Sequence, residues 1–291
     1  MEDQPLDMLI RAGRVFCAET GIDGPGAVAL RGDRIAAAGP DVVGEAGTFL
    51  EFPDCLLLPG LVGMHAHHAP PDWKYGIDPD ELILPRGSTT ILSQGDTGAA
   101  DWPFYRDSVI GGASIRILMA LSPAVHGERY NNPTYANLGE VDVDDCVDTI
   151  MSADESIWGI AVSVAAPACG DNDPRVILNR VLQAAERTGK PFLYGVRWDP
   201  FDWPLEEQLE RLRPGDVVTY CMHEGKGGIA PQGRVADAVW KARERAVLFD
   251  HRPRYVILRF RCRGGRHRRR TFIGVTPTRS PGTTYPERSR S

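Results

Sequence analysis

The chain has 291 residues, 42% of them hydrophobic, 25% charged and 8% aromatic, and carries a net charge of −6. That composition excludes a wholly disordered or collagen-like chain and allows one large domain or two modest ones with a sizeable core. No apolar run approaches the roughly 18 residues needed to span a bilayer, and Met1-Glu2-Asp3-Gln4-Pro5 lacks a basic-then-apolar export signal. A cytoplasmic protein with no membrane partner is expected. The six cysteines are far apart and form no CxxC, so they read as reduced, mostly buried thiols.

Residues 7–58 read as short strands separated by turns. Met8 to Phe16 is the first, and Gly26 to Leu30 leads through Arg31-Gly32-Asp33 into Arg34 to Gly39. Thr48 to Phe52 alternates, and Cys55 to Leu58 precedes Pro59-Gly60. This pattern predicts a small β-sandwich domain over 1–58.

From residue 61 the pattern becomes strands alternating with helices. Apolar strand-like runs fall at 61–67, 88–94, 115–122, 157–164, 191–197, 216–222 and 246–250. Their spacing is that of a βα unit, and near-continuous apolar runs imply a parallel sheet buried on both faces. One helix has both ends marked: Asp173 as N-cap, Pro174 at the first helical position and Gly189 as its close. Leu205, Leu209 and Leu212 give another apolar stripe, and Val235, Ala238, Val239 and Ala242 a third. The fold class expected is α/β: a (β/α)8-type barrel over 59–250, incomplete at about seven strands, beside the small sandwich.

The charge is split. From His251 to Ser291 there are 12 Arg, no Lys and one acid, Glu287, giving +11. The rest of the chain carries −17. Two readings compete for this Arg-rich tail. One is a basic arm for nucleic acid, with Arg268-Arg269-Arg270 neutralising phosphates. The other, which the coincidence with the missing eighth strand favours, is a disordered or non-native end such as a frameshift produces.

The segment that carries chemistry is Leu56-Leu57-Leu58-Pro59-Gly60-Leu61-Val62-Gly63-Met64-His65-Ala66-His67-His68. His65 and His67, two apart on a strand, project from one face and would share a divalent metal at a barrel strand's C-terminal end. Hydrogen-bonded core histidines are the competing reading. His68 points the other way or begins the loop.

These residues resemble the amidohydrolase superfamily, in its dihydroorotase-related, deacetylase-like branch. Ile77-Asp78-Pro79-Asp80, Gly87-Ser88-Thr89-Thr90-Ile91, Arg213 to Thr219 and Ala242 to Asp250 share the likeness, which covers residues 7 to 250. The resemblance implies one or two divalent metals, zinc foremost. It also implies hydrolysis of carbon–nitrogen bonds other than peptide bonds, in amides, cyclic amides or N-acyl compounds, by metal-activated water. It further implies a carboxylated lysine on strand 4, histidines on strands 5 and 6 and an acid at the end of strand 8. Here Ala161 falls at the lysine position, Phe192 to Arg197 holds no histidine, and Tyr220 stands where the strand 6 histidine is expected. His223 is three residues further and is taken as a candidate third ligand, with Cys221 a weaker one. No strand 8 aspartate has a counterpart.

Arg197, at a strand end, would hold a substrate carboxylate, or else form a structural ion pair. His126, in the loop 123–140, would contact a polar substrate, with ordinary surface chemistry the competing and favoured reading. Asp96 and Asp250 are strand-end acids or loop caps, and Trp198, Trp203 and Trp240 are expected to pack. The expected partner is a small-molecule substrate, with a homo-oligomer as a further expectation. The alternative function is a catalytically impaired or truncated amidohydrolase-like protein with a non-enzymatic binding role.

Overall fold

A computed structural model describes residues 5–198, 202–222, 227–231 and 233–250. The Arg-rich tail and His223 lie outside the described residues. The chain divides into two compact units, Met1–Leu61 and Val62–Ser291.

The first unit is a four-stranded sheet in the order β3-β2-β1-β4, formed by β1 (Leu6–Cys17), β2 (Ile22–Arg31), β3 (Arg34–Gly39) and β4 (Ala46–Leu57). β1 and β2 pair antiparallel, as do β2 and β3, while β1 and β4 pair parallel. The sheet is thus mixed. The β2–β3 turn is two residues, and Gly32 supplies its positive φ of 57°. Asp7 Oδ2 accepts from the Gly32 N–H at 2.5 Å and ties the turn to β1. Leu9, Ala27 and Ala29 make the small core. At Gly13 a Cβ would meet the Pro53 carbonyl oxygen, so the register shift of β1 against β4 depends on glycine there.

The second unit is a seven-stranded sheet in sequential order: β5 (Leu61–Ala66), β6 (Ser88–Gln94), β7 (Arg116–Leu121), β8 (Ile157–Ser163), β9 (Phe192–Gly195), β10 (Val217–Thr219) and β11 (Leu248–Phe249). From β6 to β11 neighbouring strands pair parallel. This is the incomplete (β/α) barrel that the apolar runs predict; the separate small unit, expected as a β-sandwich, is a single mixed sheet among the described residues. No eighth strand is present among the described residues.

The two faces of the large sheet bury different sets. Leu92, Ala120, Ala161, Leu193 and Val217, one from each of β6 to β10, pack together. Met119, Ile160, Val162, Phe192, Tyr194 and Val218 pack instead with the helical layer, including Ile177, Leu178 and Val181. The helix Pro174–Thr188 has the predicted ends: the Asp173 side chain accepts from Arg175 N at 2.9 Å, and Gly189 closes it at φ 66°. Cys146, Cys169 and Cys221 are buried, Cys17 is half-buried and Cys55 is exposed. Trp203 is buried with Arg175 and Arg211 over its ring, whereas Trp240 is exposed.

Candidate binding site at the strand ends

The C-terminal ends of the strands bring together two of the sequence-predicted histidines. His65 lies in β5, and His67 follows directly after it; both are 2% exposed. Their ring centroids are 5.6 Å apart.

The hydrogen bonds fix what each ring is doing. Thr219, the last residue of β10, gives its single O–H to Asp250 Oδ2 at 3.1 Å. Its oxygen therefore accepts from His65 Nδ1–H at 2.7 Å. That tautomer leaves His65 Nε2 as an acceptor, and the Tyr220 hydroxyl lies 2.9 Å from it. Gln94 Oε1 is a second acceptor for the same hydroxyl, at 3.3 Å. Both nitrogens of His65 are engaged.

Tyr220 reaches this position through an unusual backbone. Its φ is 58°, left-handed for a residue with a Cβ, at a cost of roughly 1–2 kcal/mol. The turn lays the ring edge-on against His65, centroids 4.6 Å apart. Gly195 makes room: a Cβ there would sit 3.0 Å from Tyr220 Cδ2.

His67 is held from the other side. Its Nδ1 donates to Asp96 Oδ1 at 2.8 Å, and its ring stacks obliquely on Tyr75 at 4.5 Å. Asp96 Oδ2 also accepts from His68 N at 3.1 Å and from the Ser93 hydroxyl. A buried carboxylate with three donors is satisfied. His68 is fully buried, and neither of its ring nitrogens has a hydrogen-bond partner among the described residues. Burial, with the neighbouring His67, pushes its pKa down to about 4 against the opposing pull of Asp96. Beneath it the Tyr105 hydroxyl donates to the His68 carbonyl at 2.5 Å.

Arg197 and His126 stand apart from this cluster. The Arg197 Nε and Nη2 each donate to Asp202 at 2.8 Å, and Nη1 donates to the Val164 carbonyl at 3.2 Å. The ion pair holds Asp202 below the usual carboxylate range, and the arginine's fork is spent within the protein. His126 Nδ1 bonds to Asp101 Oδ2 at 2.8 Å, beside Arg129, which donates to Asp101 Oδ1 at 2.5 Å.

A metal centre of the implied kind does not fit the described residues. No group of three or more His, Cys, Asp or Glu among them is placed to hold an ion. His65 has no free nitrogen, Ala161 offers no ligand atom, and burial pushes the Cys221 thiol up to about 12, far from the thiolate a metal needs.

The sequence marked His65, His67, Asp96 and Asp250, and marked Tyr220 only as a departure. It gave no notice of Thr219, Gln94, Tyr75 or Asp101 as site residues. Asp101 precedes Trp102-Pro103 and looks like a helix cap, yet its side chain caps no N–H.

No protein-family model matches the chain. It is 24% identical over 250 residues to a deacetylase of Enterococcus faecalis, covering 84% of this chain and 64% of that protein. Among solved structures it resembles an adenine deaminase, with TM-score 0.73 and 23% identity over 84% of this chain and 65% of the other. It also resembles a dihydroorotase, with TM-score 0.71 and 22% identity over 83% and 64% respectively. The chain spans less than two thirds of the length of each. At these identities the two solved structures share the fold of this chain, and the Enterococcus deacetylase is similar to it in sequence.

Proposed function

We propose that this chain is a catalytically impaired, amidohydrolase-like protein whose strand-end site binds a small molecule without turning it over. One observation carries the reading: Thr219 and Tyr220 occupy both ring nitrogens of His65, the first of the two histidines a metal would need. The site that results is a compact set of neutral and ionised hydrogen-bonding groups. His67 Nε2 and the Gln94 amide offer an acceptor and donors suited to an amide or cyclic amide, the group such relatives are expected to meet. The deacetylase-like branch fits the likeness to the Enterococcus protein and the runs at 77–80 and 87–91. A cytoplasmic location and a division at about residue 58 go with this reading.

A second reading is a zinc-dependent hydrolase of carbon–nitrogen bonds other than peptide bonds. It is favoured by His67, because a carboxylate on Nδ1 fixes the tautomer that leaves Nε2 as a donor atom. The two readings part on one experiment. The full chain is incubated with zinc, freed of excess metal, and assayed for bound zinc and for hydrolysis of N-acetyl amino acids and cyclic amides. The binding reading expects neither zinc nor turnover, with chemical-shift changes at His67 on adding an amide ligand. Turnover that disappears in His65→Ala or His67→Ala would overturn it.

A further inference from the structure

A second polar cluster lies at the strand ends and takes no part in the histidine site. Asp101, after β6, divides its carboxylate between two partners, His126 Nδ1 at 2.8 Å and Arg129 Nη1 at 2.5 Å. Arg129 packs against two rings: its guanidinium carbon lies 5.0 Å from the Trp73 ring centroid and 5.4 Å from that of Tyr130. The Lys74 N–H donates to the Arg129 carbonyl at 3.1 Å and pins the backbone as well. His126 packs edge-on to Tyr130 at 5.5 Å.

Beyond Asp101, neither side chain makes another hydrogen bond among the described residues. His126 is 40% exposed and Arg129 34%, while Asp101, which orients both, is 12% exposed. The His126 Nε2 and the remaining N–H groups of Arg129 are therefore oriented, accessible and unused. A structural ion pair needs only one cation for one carboxylate; here one carboxylate serves two donors and two aromatic rings lock the second.

We propose that His126 and Arg129 form a binding position for the carboxylate of a small-molecule ligand, with the exposed Tyr130 ring as its apolar wall and the buried Trp73 beneath Arg129. The planar guanidinium matches a carboxylate edge, and a clamped arginine loses little freedom on binding. Asp101 offsets the Arg129 charge, so recognition rests on the remaining N–H donors, whose planar fork matches a carboxylate edge better than phosphate. The inference goes beyond the proposed function, since it uses other residues and stands whether or not the His65 site is catalytic.

The test is an NMR titration of the full chain with benzoate, following the His126 ring signal, which is assigned by its loss in His126→Gln. Benzamide serves as the uncharged isostere and inorganic phosphate as the dianion. Benzoate is expected to give a saturable shift, with benzamide and phosphate each weaker by about tenfold or more. Arg129→Gln is expected to weaken benzoate by a similar factor while Arg129→Lys retains part of the binding. Should Arg129→Gln fail to fold, His126→Gln, followed at the Trp73 indole, replaces it. Equal binding of benzoate and benzamide, equal binding of phosphate, no saturable shift, or full affinity in the folded variants would each overturn the proposal.

Discussion

At the residue scale, Tyr220 sets the character of the site. A tyrosine in the left-handed region persists only where its surroundings reward it, and here the reward is the bond to His65 Nε2 at 2.9 Å. Tyr220→Phe keeps the ring and removes that bond, leaving a buried acceptor without its donor. Urea denaturation is expected to show a loss of about 1–3 kcal/mol; an unchanged midpoint would mean the hydroxyl contributes nothing. His68 supplies a pH dependence. Its folded pKa, about 4, lies below its ordinary value, so between the two the unfolded chain binds more protons than the folded one. The stabilisation is fully present above about pH 6.5 and is lost as pH falls towards 4, on the order of 3 kcal/mol. Urea midpoints at pH 4.5 and 7 should differ by less in His68→Leu than in the unaltered protein; an identical difference would contradict this. The pair His65 and His67 was legible because their spacing is local. Tyr220 was not legible as a partner of His65, because the two are 155 positions apart and a positive φ at tyrosine has no sequence signal.

At the element scale, the strands and the long helix were legible because both depend on short-range patterns. Apolar runs bounded by Gly and Pro mark β5 to β11 closely. The helix Pro174–Thr188 carries its start and stop in Asp173, Pro174 and Gly189. Asp173→Ala removes the side-chain acceptor at the first turn and is expected to cost about 1 kcal/mol in thermal or urea unfolding. A cost near zero would mean water serves the free N–H equally well. β4 is the element the pattern described least well. It pairs on one side only, with β1, and exposes Phe49, Phe52 and Leu56. Alternation predicts that one face of such a strand is covered, but among the described residues nearly all of it is exposed.

At the scale of the whole molecule, seven sequential strands bring His65, His67, Asp96, Thr219, Tyr220 and Asp250 to one end of one sheet. The architecture was legible from the spacing of βα units. The chemistry was only half legible: the histidine pair reads as a metal site, and the contacts that compete for its nitrogens come from β10, where sequence offers a tyrosine and a threonine with no announced role. On the proposed reading these contacts stand where metal ligation would otherwise be. The most direct measurement is zinc content per chain after incubation and removal of excess metal, for the full chain and for the His65→Ala/His67→Ala double variant. The same negligible zinc is expected in both. One zinc per chain in the unaltered protein, absent from the double variant, would contradict that reading.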